Sequence, residues 1–232
     1  IFMHKISGVF SAALTPVKSD LSINKDLYLR HCQYLMREGH DGLAIFGTTG
    51  EANSFSVQEK KDHIDFLISN RIDPKILMPG TGSSSLKEAI DMTKHASLHK
   101  VRAVLLLPPF YYKNVTDEGV INYYRHLIEN VGDSELHYVL YHIPQNTYVP
   151  ISFKTIETLL KLYPNNIVGL KDSSGDGERM MKVIKYFNNF SVFCGHDSLA
   201  LSISKRGGAG AITAGTNVCG KLLSFILKNY KN

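Results

Sequence analysis

The sequence has little cysteine, and its arrangement does not favour cross-linking. The three cysteines, Cys32, Cys194 and Cys219, lie far apart and are odd in number. This argues against a disulfide framework and against a cysteine-based zinc motif. It predicts a protein of the reducing cytoplasm.

Long apolar runs are also missing. No stretch approaches the ~20 residues that span a bilayer, and the start, IFMHKISGVF, lacks the uninterrupted apolar segment of a signal peptide. We therefore expect no membrane association. Because the chain begins with Ile1 rather than Met, we expect a few residues to precede it.

Blocks of basic residues are absent, although the net charge is +5. The lysines are spread along the chain and often stand near acids, as in EKKD and KEAIDMTK. Such scattering is typical of a solvated surface, whereas nucleic-acid binding requires a basic patch. A nucleic-acid partner is therefore not predicted, and it stays only as a minor alternative.

Short apolar runs alternate with longer amphipathic ones. Several of the apolar runs are nearly continuous, which is typical of parallel strands covered on both faces. The predicted strands are 8–14, 42–47, 75–80, 101–107, 137–143, 166–171, 191–195 and 208–215.

The segments between these strands have helical periodicity and start signals. Asn24 is a predicted N-cap, and Ser56 with Glu59 forms a predicted capping box. Strands alternating with helices predict a (β/α)8 TIM barrel, with a doubly wound sheet as the alternative. No GxGxxG follows the first strand, which disfavours the dinucleotide-binding form of that alternative. We expect one domain over 1–232.

The last predicted helix, KLLSFILKNYKN, follows the eighth strand after an abrupt change from TNVCGK. We therefore expect a missing segment, either near 221–222 or after residue 232.

Lys171 ends the sixth predicted strand, where a barrel carries its reactive groups. Asp172 follows and points to the opposite side of an extended strand. Burial in an apolar barrel mouth disfavours the ammonium form of a lysine, and a neutral amine attacks carbonyls to form a Schiff base. A lysine that reaches solvent or pairs with Asp172 is the alternative.

Other strand ends carry further candidates. Gly47, Thr48 and Thr49 offer hydroxyls and backbone N–H groups to a carboxylate or phosphate, or form an ordinary turn. Tyr141 is placed to relay a proton, or is a core residue whose hydroxyl is satisfied. His196 invites a metal or acid-base role. We set that role aside because Asp197-Ser198 has the sequence of a helix cap and no partner completes a metal site.

The ordered combination of these segments is similar to the dihydrodipicolinate synthase/N-acetylneuraminate lyase family of Schiff-base class I aldolases, which act on pyruvate or related 2-oxo acids. The match covers nearly the whole chain. The segments that carry it are ALTP (13–16), GTTGE (47–51), PPFYY (108–112), YHIP (141–144), GLKDSSGD (169–176), GHDS (195–198) and GAITAGTNV (210–218).

The resemblance implies a role for each central residue. Lys171 resembles the Schiff-base lysine, and Tyr141 the general acid/base. Thr48 and Thr49, with Gly47 beside them, are similar to the pair that binds the pyruvate carboxylate, and Thr48 also belongs to the proton relay.

It also implies roles at the edge of the site. Tyr111, or its neighbour Tyr112, resembles a relay tyrosine that reaches across a dimer interface into the neighbouring site. Gly195 and Ile212 resemble positions that wall the substrate pocket.

Asn146 is a departure that bears on the substrate. Dihydrodipicolinate synthases carry an arginine two residues after the proline of the tyrosine motif, and here the run is YHIPQNT. Asparagine cannot make the bidentate, charge-assisted contact of arginine with a carboxylate. This favours an aldolase of 2-keto-3-deoxy sugar acids. Dihydrodipicolinate synthase is the alternative, and a non-catalytic 2-oxo acid binder is an alternative of another class.

The family pattern implies pyruvate and an aldehyde as small-molecule partners, with no metal and no organic cofactor. It also implies about three helices after the barrel that help to assemble a tetramer. We expect a homodimer or homotetramer, with most of that helical extension missing from this chain.

Overall fold

One parallel sheet forms the centre of the protein. The computed structural model describes residues 6–230, and within them seven strands follow the order β2-β1-β7-β6-β5-β4-β3. The strands are β1 (Gly8–Ala12), β2 (Gly42–Ala44), β3 (Val104–Leu106), β4 (Tyr138–His142), β5 (Ile167–Asp172), β6 (Ser191–Cys194) and β7 (Gly210–Thr213).

The segment 77–80 joins the two outer strands of this order and completes the ring. It makes one parallel bridge to β2, between Leu77 and Leu43, and one to β3, between Gly80 and Leu105. The predicted strand 75–80 is therefore wrong as a regular strand, although its place in the ring is correct. Pro79 has no N–H to donate to a ladder, and residues Pro74–Ile76 form a 3₁₀ helix instead.

The helices lie between successive strands, as the barrel prediction requires. The capping box at Ser56 and Glu59 is present, and Asn24 caps the first helix. The helices are α1 (Lys25–Arg37), α2 (Val57–Ser69), α3 (Leu86–Leu98), α4 (Asp117–Val131), α5 (Pro144–Thr147), α6 (Phe153–Leu162), α7 (Gly177–Tyr186), α8 (Asp197–Lys205) and α9 (Thr216–Asn229).

Two details of the helices differ from expectation. The short helix α5 was not predicted, since four residues are too few to show a helical period. The cap predicted at Asp197-Ser198 lies one residue earlier, at His196, whose side chain makes no capping hydrogen bond. Asp197 is instead the first residue of α8, where its charge is favourable to the helix dipole.

Two apolar layers hold the strands in place. The larger layer packs the outer faces of the strands against the helices, with Tyr28, Leu43 and Leu170 among its fully buried members. The smaller layer fills the barrel interior. Its members are Ile6, Phe10, Ala12, Ala44, Met78, Ala103, Leu105, Val139, Val168, Phe193, Ala209 and Ile212.

The helix α9 continues through 221–222 and is kinked at Cys219. Val218, Leu222 and Phe225 on this helix are exposed. The missing segment expected near 221–222 or after residue 232 stays a prediction. Among the described residues, no helix is both long enough and apolar enough to cross a membrane.

Candidate active site

Lys171 and Tyr141 face each other across neighbouring strands at the C-terminal end of the barrel. They are direct partners in the register of β4 and β5. Both side chains are buried, with 4% and 3% of their surface exposed. The Lys171 Nζ lies 4.1 Å from the centroid of the Tyr141 ring. The parallel pairing of β4 and β5 therefore sets an amine against a phenol.

Thr48 connects this pair to the loop that follows β2. Its Oγ1 lies 3.0 Å from the Tyr141 hydroxyl, which is hydrogen-bond distance. The two residues are 93 positions apart in the sequence. Tyr141 thus contacts Thr48 through its hydroxyl and Lys171 through its ring face, and proton transfer requires groups this close.

The loop holding Thr48 and Thr49 is a tight turn. The Glu51 N–H donates to the Thr48 carbonyl over 3.1 Å, and the Ala52 N–H donates to the Gly47 carbonyl over 3.2 Å. Within residues 6–230 the N–H groups of Thr48 and Thr49 donate no backbone hydrogen bond. These N–H groups and the threonine hydroxyls are available to a carboxylate, as predicted for such a cradle.

The base of this loop rests on Gly80. A Cβ at Gly80 would lie 2.1 Å from the carbonyl oxygen of Phe46, so only glycine permits the approach. Phe46 itself has a φ of 52°, in the left-handed region that a bulky residue seldom adopts. Strain of this kind collects at functional sites, and here it lies two residues before Thr48.

The surroundings of Tyr141 favour its ionised form. Burial acts to raise the pKa of Tyr141, but the charge of Lys171 and the hydrogen bonds of Thr48, Lys171 and Ser173 outweigh burial, so the pKa falls below the usual 10.0. A phenol with a lowered pKa transfers protons more readily near neutral pH.

Ser173 is a member of the site that the sequence prediction missed. It is buried, and its N–H donates to the His142 carbonyl over 2.8 Å. A Cβ at Gly195 would lie 2.0 Å from the Ser173 hydroxyl, so Gly195 makes room for it. The spacing from Lys171 could have indicated this residue. Residues two apart in an extended segment share a face, and Ser173 lies two residues after Lys171.

Asp172 takes no part in neutralising Lys171. It is completely buried, forms an ion pair with Arg179, and accepts a hydrogen bond from the Ser174 hydroxyl over 2.6 Å. No carboxylate pairs with Lys171 among the described residues. The predicted orientation of Asp172, away from Lys171, is confirmed. Its partner Arg179 was not predicted.

His142, the last residue of β4, helps to hold the strand that carries Tyr141. Its Nδ1 accepts a hydrogen bond from the Ile151 N–H over 3.1 Å, which requires this nitrogen to be unprotonated. Burial, assisted by the charge of Arg179, lowers the pKa of His142 to about 4. His142 is therefore a neutral anchor for the strand that carries Tyr141.

The remaining predicted pocket residues lie around this centre. The Gly195 N–H donates to the Asp172 carbonyl over 2.8 Å, and Ile212 is buried inside the barrel. Asn146 is exposed on α5. Its neighbour Gln145 donates from Nε2 to the Ser173 carbonyl over 2.6 Å, so α5 lies at the rim of the site.

Tyr111 and Tyr112 are not brought to the centre by the single chain. They are 71% and 77% exposed, with ring centroids 5.1 Å apart. The predicted relay role of Tyr111 across an interface stays a prediction. His196 lies close by and has its Nε2 3.1 Å from the Ser173 carbonyl oxygen, but it makes no hydrogen bond with Tyr141 or Thr48.

A buried lysine beside a tyrosine and a threonine at the mouth of a parallel barrel is the arrangement expected of a lysine-dependent aldolase. The model of the dihydrodipicolinate synthetase family matches residues 5–232. The chain belongs to this family of class I carbon–carbon lyases, which confirms the predicted family, fold and enzyme class.

Two curated relatives illustrate the range of names within the family. An uncharacterized DapA-like lyase of Chloroflexus aurantiacus is 35% identical, with 95% of this chain and 73% of the relative covered. A 4-hydroxy-tetrahydrodipicolinate synthase of Pelagibacter ubique is 34% identical, with 99% and 75% covered.

Two solved structures have the same fold. Dihydrodipicolinate synthase from Agrobacterium tumefaciens matches with a TM-score of 0.91 at 28% identity, covering 94% of this chain and 76% of that one. A 2-keto 3-deoxygluconate aldolase from Picrophilus torridus matches with a TM-score of 0.89 at 28% identity, covering 97% and 80%. Both activities therefore occur among proteins of this fold.

Proposed function

We propose that the protein is a Schiff-base aldolase that makes or breaks a carbon–carbon bond next to pyruvate. The contact between Lys171, Tyr141 and Thr48 is the observation that carries this proposal. The Nζ lies 4.1 Å from the phenol ring, and the phenol oxygen lies 3.0 Å from the threonine hydroxyl.

The first step prepares the nucleophile. The Lys171 ammonium passes a proton to Tyr141, and the phenol releases its own proton to Thr48 and so to water, which leaves a neutral amine and a neutral phenol. The lowered pKa of Tyr141 assists this relay, because the phenol releases its proton more readily.

The amine of Lys171 then attacks the ketone carbon of the 2-oxo acid. A proton moves from nitrogen to the former carbonyl oxygen, which gives a carbinolamine. The Tyr141 phenol donates its proton to this hydroxyl, water leaves, and the nitrogen lone pair forms the iminium. The Thr48 hydroxyl then donates a hydrogen bond to the tyrosinate and stabilises its charge, since it is the hydrogen-bond partner of the phenol oxygen.

Bond cleavage uses the tyrosinate left by that step. It accepts the proton of the hydroxyl on C4 of the bound acid while the C3–C4 bond breaks. The electron pair of the broken bond moves toward the iminium, which becomes an enamine, and an aldehyde leaves. Protonation of the enamine at C3 and hydrolysis release pyruvate and restore Lys171.

Thr48 and Thr49 orient the acid for these steps. Their N–H groups are available, and an anion held by such groups fixes the ketone beside Lys171. Every step is assigned to side chains of the chain itself, so the proposal includes no metal ion or organic cofactor.

For the substrate, we favour a 2-keto-3-deoxy sugar acid with its aldehyde product. Asn146 and Gln145 are neutral hydrogen-bonding groups at the rim, suited to sugar hydroxyls rather than to a second carboxylate. The 2-keto 3-deoxygluconate aldolase of the same fold supports this choice. Synthesis of 4-hydroxy-tetrahydrodipicolinate is the second candidate, favoured by the name of the Pelagibacter relative.

The assembly and the location belong to the same proposal. The exposed rings of Tyr111 and Tyr112 and the exposed apolar side chains on α9 supply surface for a homodimer or homotetramer. The three thiols are free, as expected for a cytoplasmic enzyme.

Trapping with borohydride tests the function directly. Pyruvate and borohydride should add one pyruvate minus water plus two hydrogens to the protein, and Lys171→Ala should abolish this adduct. Lys60→Ala is the matched control, because Lys60 is also buried, with 6% exposed. An adduct that survives Lys171→Ala, or no adduct at all, contradicts the proposal.

A panel of 2-keto-3-deoxy acids, and pyruvate with aspartate semialdehyde, then separates the candidate substrates. Pyruvate release from a sugar acid supports the aldolase. Rapid use of aspartate semialdehyde supports the synthase. Pyruvate binding by calorimetry without turnover of any compound supports a non-catalytic binder.

A further inference from the structure

A cluster of two histidines and an aspartate joins α2 and α3 on the outside of the barrel. His95 lies in the last turn of α3, and His99 caps its C-terminus. Residues four apart on a helix share a face, so both imidazoles point to the same side. Asp65, on α2, lies opposite them.

The three side chains converge on one point. The Nε2 atoms of His95 and His99 each lie 2.7 Å from the same carboxylate oxygen, Oδ1 of Asp65. One ligand atom from each residue lies within 4.8 Å of the others. The imidazole rings meet edge to face, with centroids 4.9 Å apart.

This donor set suits a transition metal. Zinc binds imidazole nitrogen at ~2.0–2.1 Å and carboxylate oxygen at ~2.0–2.2 Å, which places tetrahedral ligand atoms about 3.3 Å apart. The two nitrogen–oxygen separations of 2.7 Å are somewhat shorter, and all three ligand atoms lie within 4.8 Å of one another, so small side-chain rotations suffice. Two imidazoles with one carboxylate favour zinc, copper, nickel and cobalt over calcium or magnesium.

The surroundings are compatible with a bound cation. The side chains of His95 and His99 are 15% and 29% exposed, whereas that of Asp65 is 51% exposed, so an ion can enter from the aspartate side. The lysine one turn earlier on α2, Lys61, pairs with Asp91 at 3.1 Å. Its charge is therefore offset by a carboxylate rather than directed at the cluster.

We propose that Asp65, His95 and His99 form a binding site for one divalent transition-metal ion of the zinc class. Such a site was not predicted from the sequence, because its aspartate lies 30 residues before the first histidine and on another helix. When the ion binds, each imidazole takes the tautomer protonated at Nδ1, so that its Nε2 lone pair is free to coordinate, and the ion links α2 to α3 through coordinate bonds. The site is separate from the Lys171 chemistry and does not depend on the proposed function.

Titration of the EDTA-treated full chain with Co²⁺ and Zn²⁺ tests the site. We expect one equivalent of Co²⁺ with a visible d–d absorption band, which Zn²⁺ displaces. Zn²⁺ at one hundred times its Kd should raise the Tm by about 5–10 °C, from the linkage relation and the size of the chain.

Variants identify the ligands. His95→Gln and His99→Gln should each lower the affinity at least about tenfold, since even outer-sphere changes at metal sites cost that much. His126→Gln, at an exposed histidine of α4, is the matched control and should bind normally. If all three variants bind alike, or the parent binds no Co²⁺, the proposal is wrong.

A measurement on the unaltered protein guards against variants that fail to fold. Zn²⁺ should shift the ¹⁵N signals of two histidine side chains together, at one equivalent. Shifts spread over many histidines, or no shift, would overturn the proposal.

Discussion

Removal of one oxygen atom from Tyr141 is the sharpest test of the proton relay. Tyr141→Phe keeps the ring that lies 4.1 Å from the Lys171 Nζ but deletes the hydroxyl that lies 3.0 Å from Thr48. The lost hydrogen bond costs about 1 kcal/mol of folding stability, so the variant should fold. General acid–base catalysis contributes ~10²–10⁴-fold, so kcat should fall by that factor, or about 3–5 kcal/mol of activation barrier.

The same strand supplies the control. Tyr138 is buried on β4, and within the described residues its hydroxyl has no hydrogen-bond partner. Burial raises the pKa of Tyr138, whereas the pKa of Tyr141 is lowered. Tyr138→Phe should therefore leave kcat unchanged and should not destabilise the protein.

The assay compares steady-state pyruvate release with the rate of borohydride trapping. Both should slow in Tyr141→Phe, because imine formation and bond cleavage each need the phenol. The reasoning is refuted if Tyr141→Phe keeps more than about a tenth of the kcat, or if Tyr138→Phe loses as much.

Two further predictions concern the support of the site. The pKa of His142 is about 4 against an ordinary 6.5, so the unfolded chain binds its proton first as pH falls. Stability should therefore decline between pH 6.5 and 4, by up to about 3 kcal/mol, and His142→Gln should flatten that decline in urea titrations. Arg179→Ala should cost about 3–5 kcal/mol at pH 7, because Asp172 stays buried without its cation. Arg125→Ala, at an exposed pair, should cost under about 1 kcal/mol; equal costs would contradict this.

Local signals in the sequence account for much of the fold. Helix starts at Asn24 and Ser56 were predictable because each cap acts on residues within one turn. The central residues Lys171, Tyr141 and Thr48 were predictable because parallel strands bring their C-terminal ends to one face of a barrel. The contact between Lys171 and Tyr141 then follows from the register of β4 and β5, whereas the position of Thr48 depends on its loop.

Features that depend on distant partners could not be predicted. Arg179 pairs with Asp172 across a loop, and the sequence gives no local signal that identifies either residue as the partner of the other. The segment around Pro79 has the apolar run of a strand, but it forms only isolated bridges with its neighbours because the proline has no N–H to donate. Asp65 reaches His95 and His99 only because α2 packs beside α3.

The segment 77–80 has a consequence for the loop that we propose to hold the carboxylate. The Gly80 N–H donates to the Ile45 carbonyl over 2.8 Å, and β3 forms hydrogen bonds with the other side of the segment. Gly80 also lies directly against Phe46, two residues before Thr48. The ring is therefore closed on both sides of this segment without a ligand. We expect the N–H groups of the Thr48 loop to be positioned in advance, so that a carboxylate binds without rearrangement of the barrel.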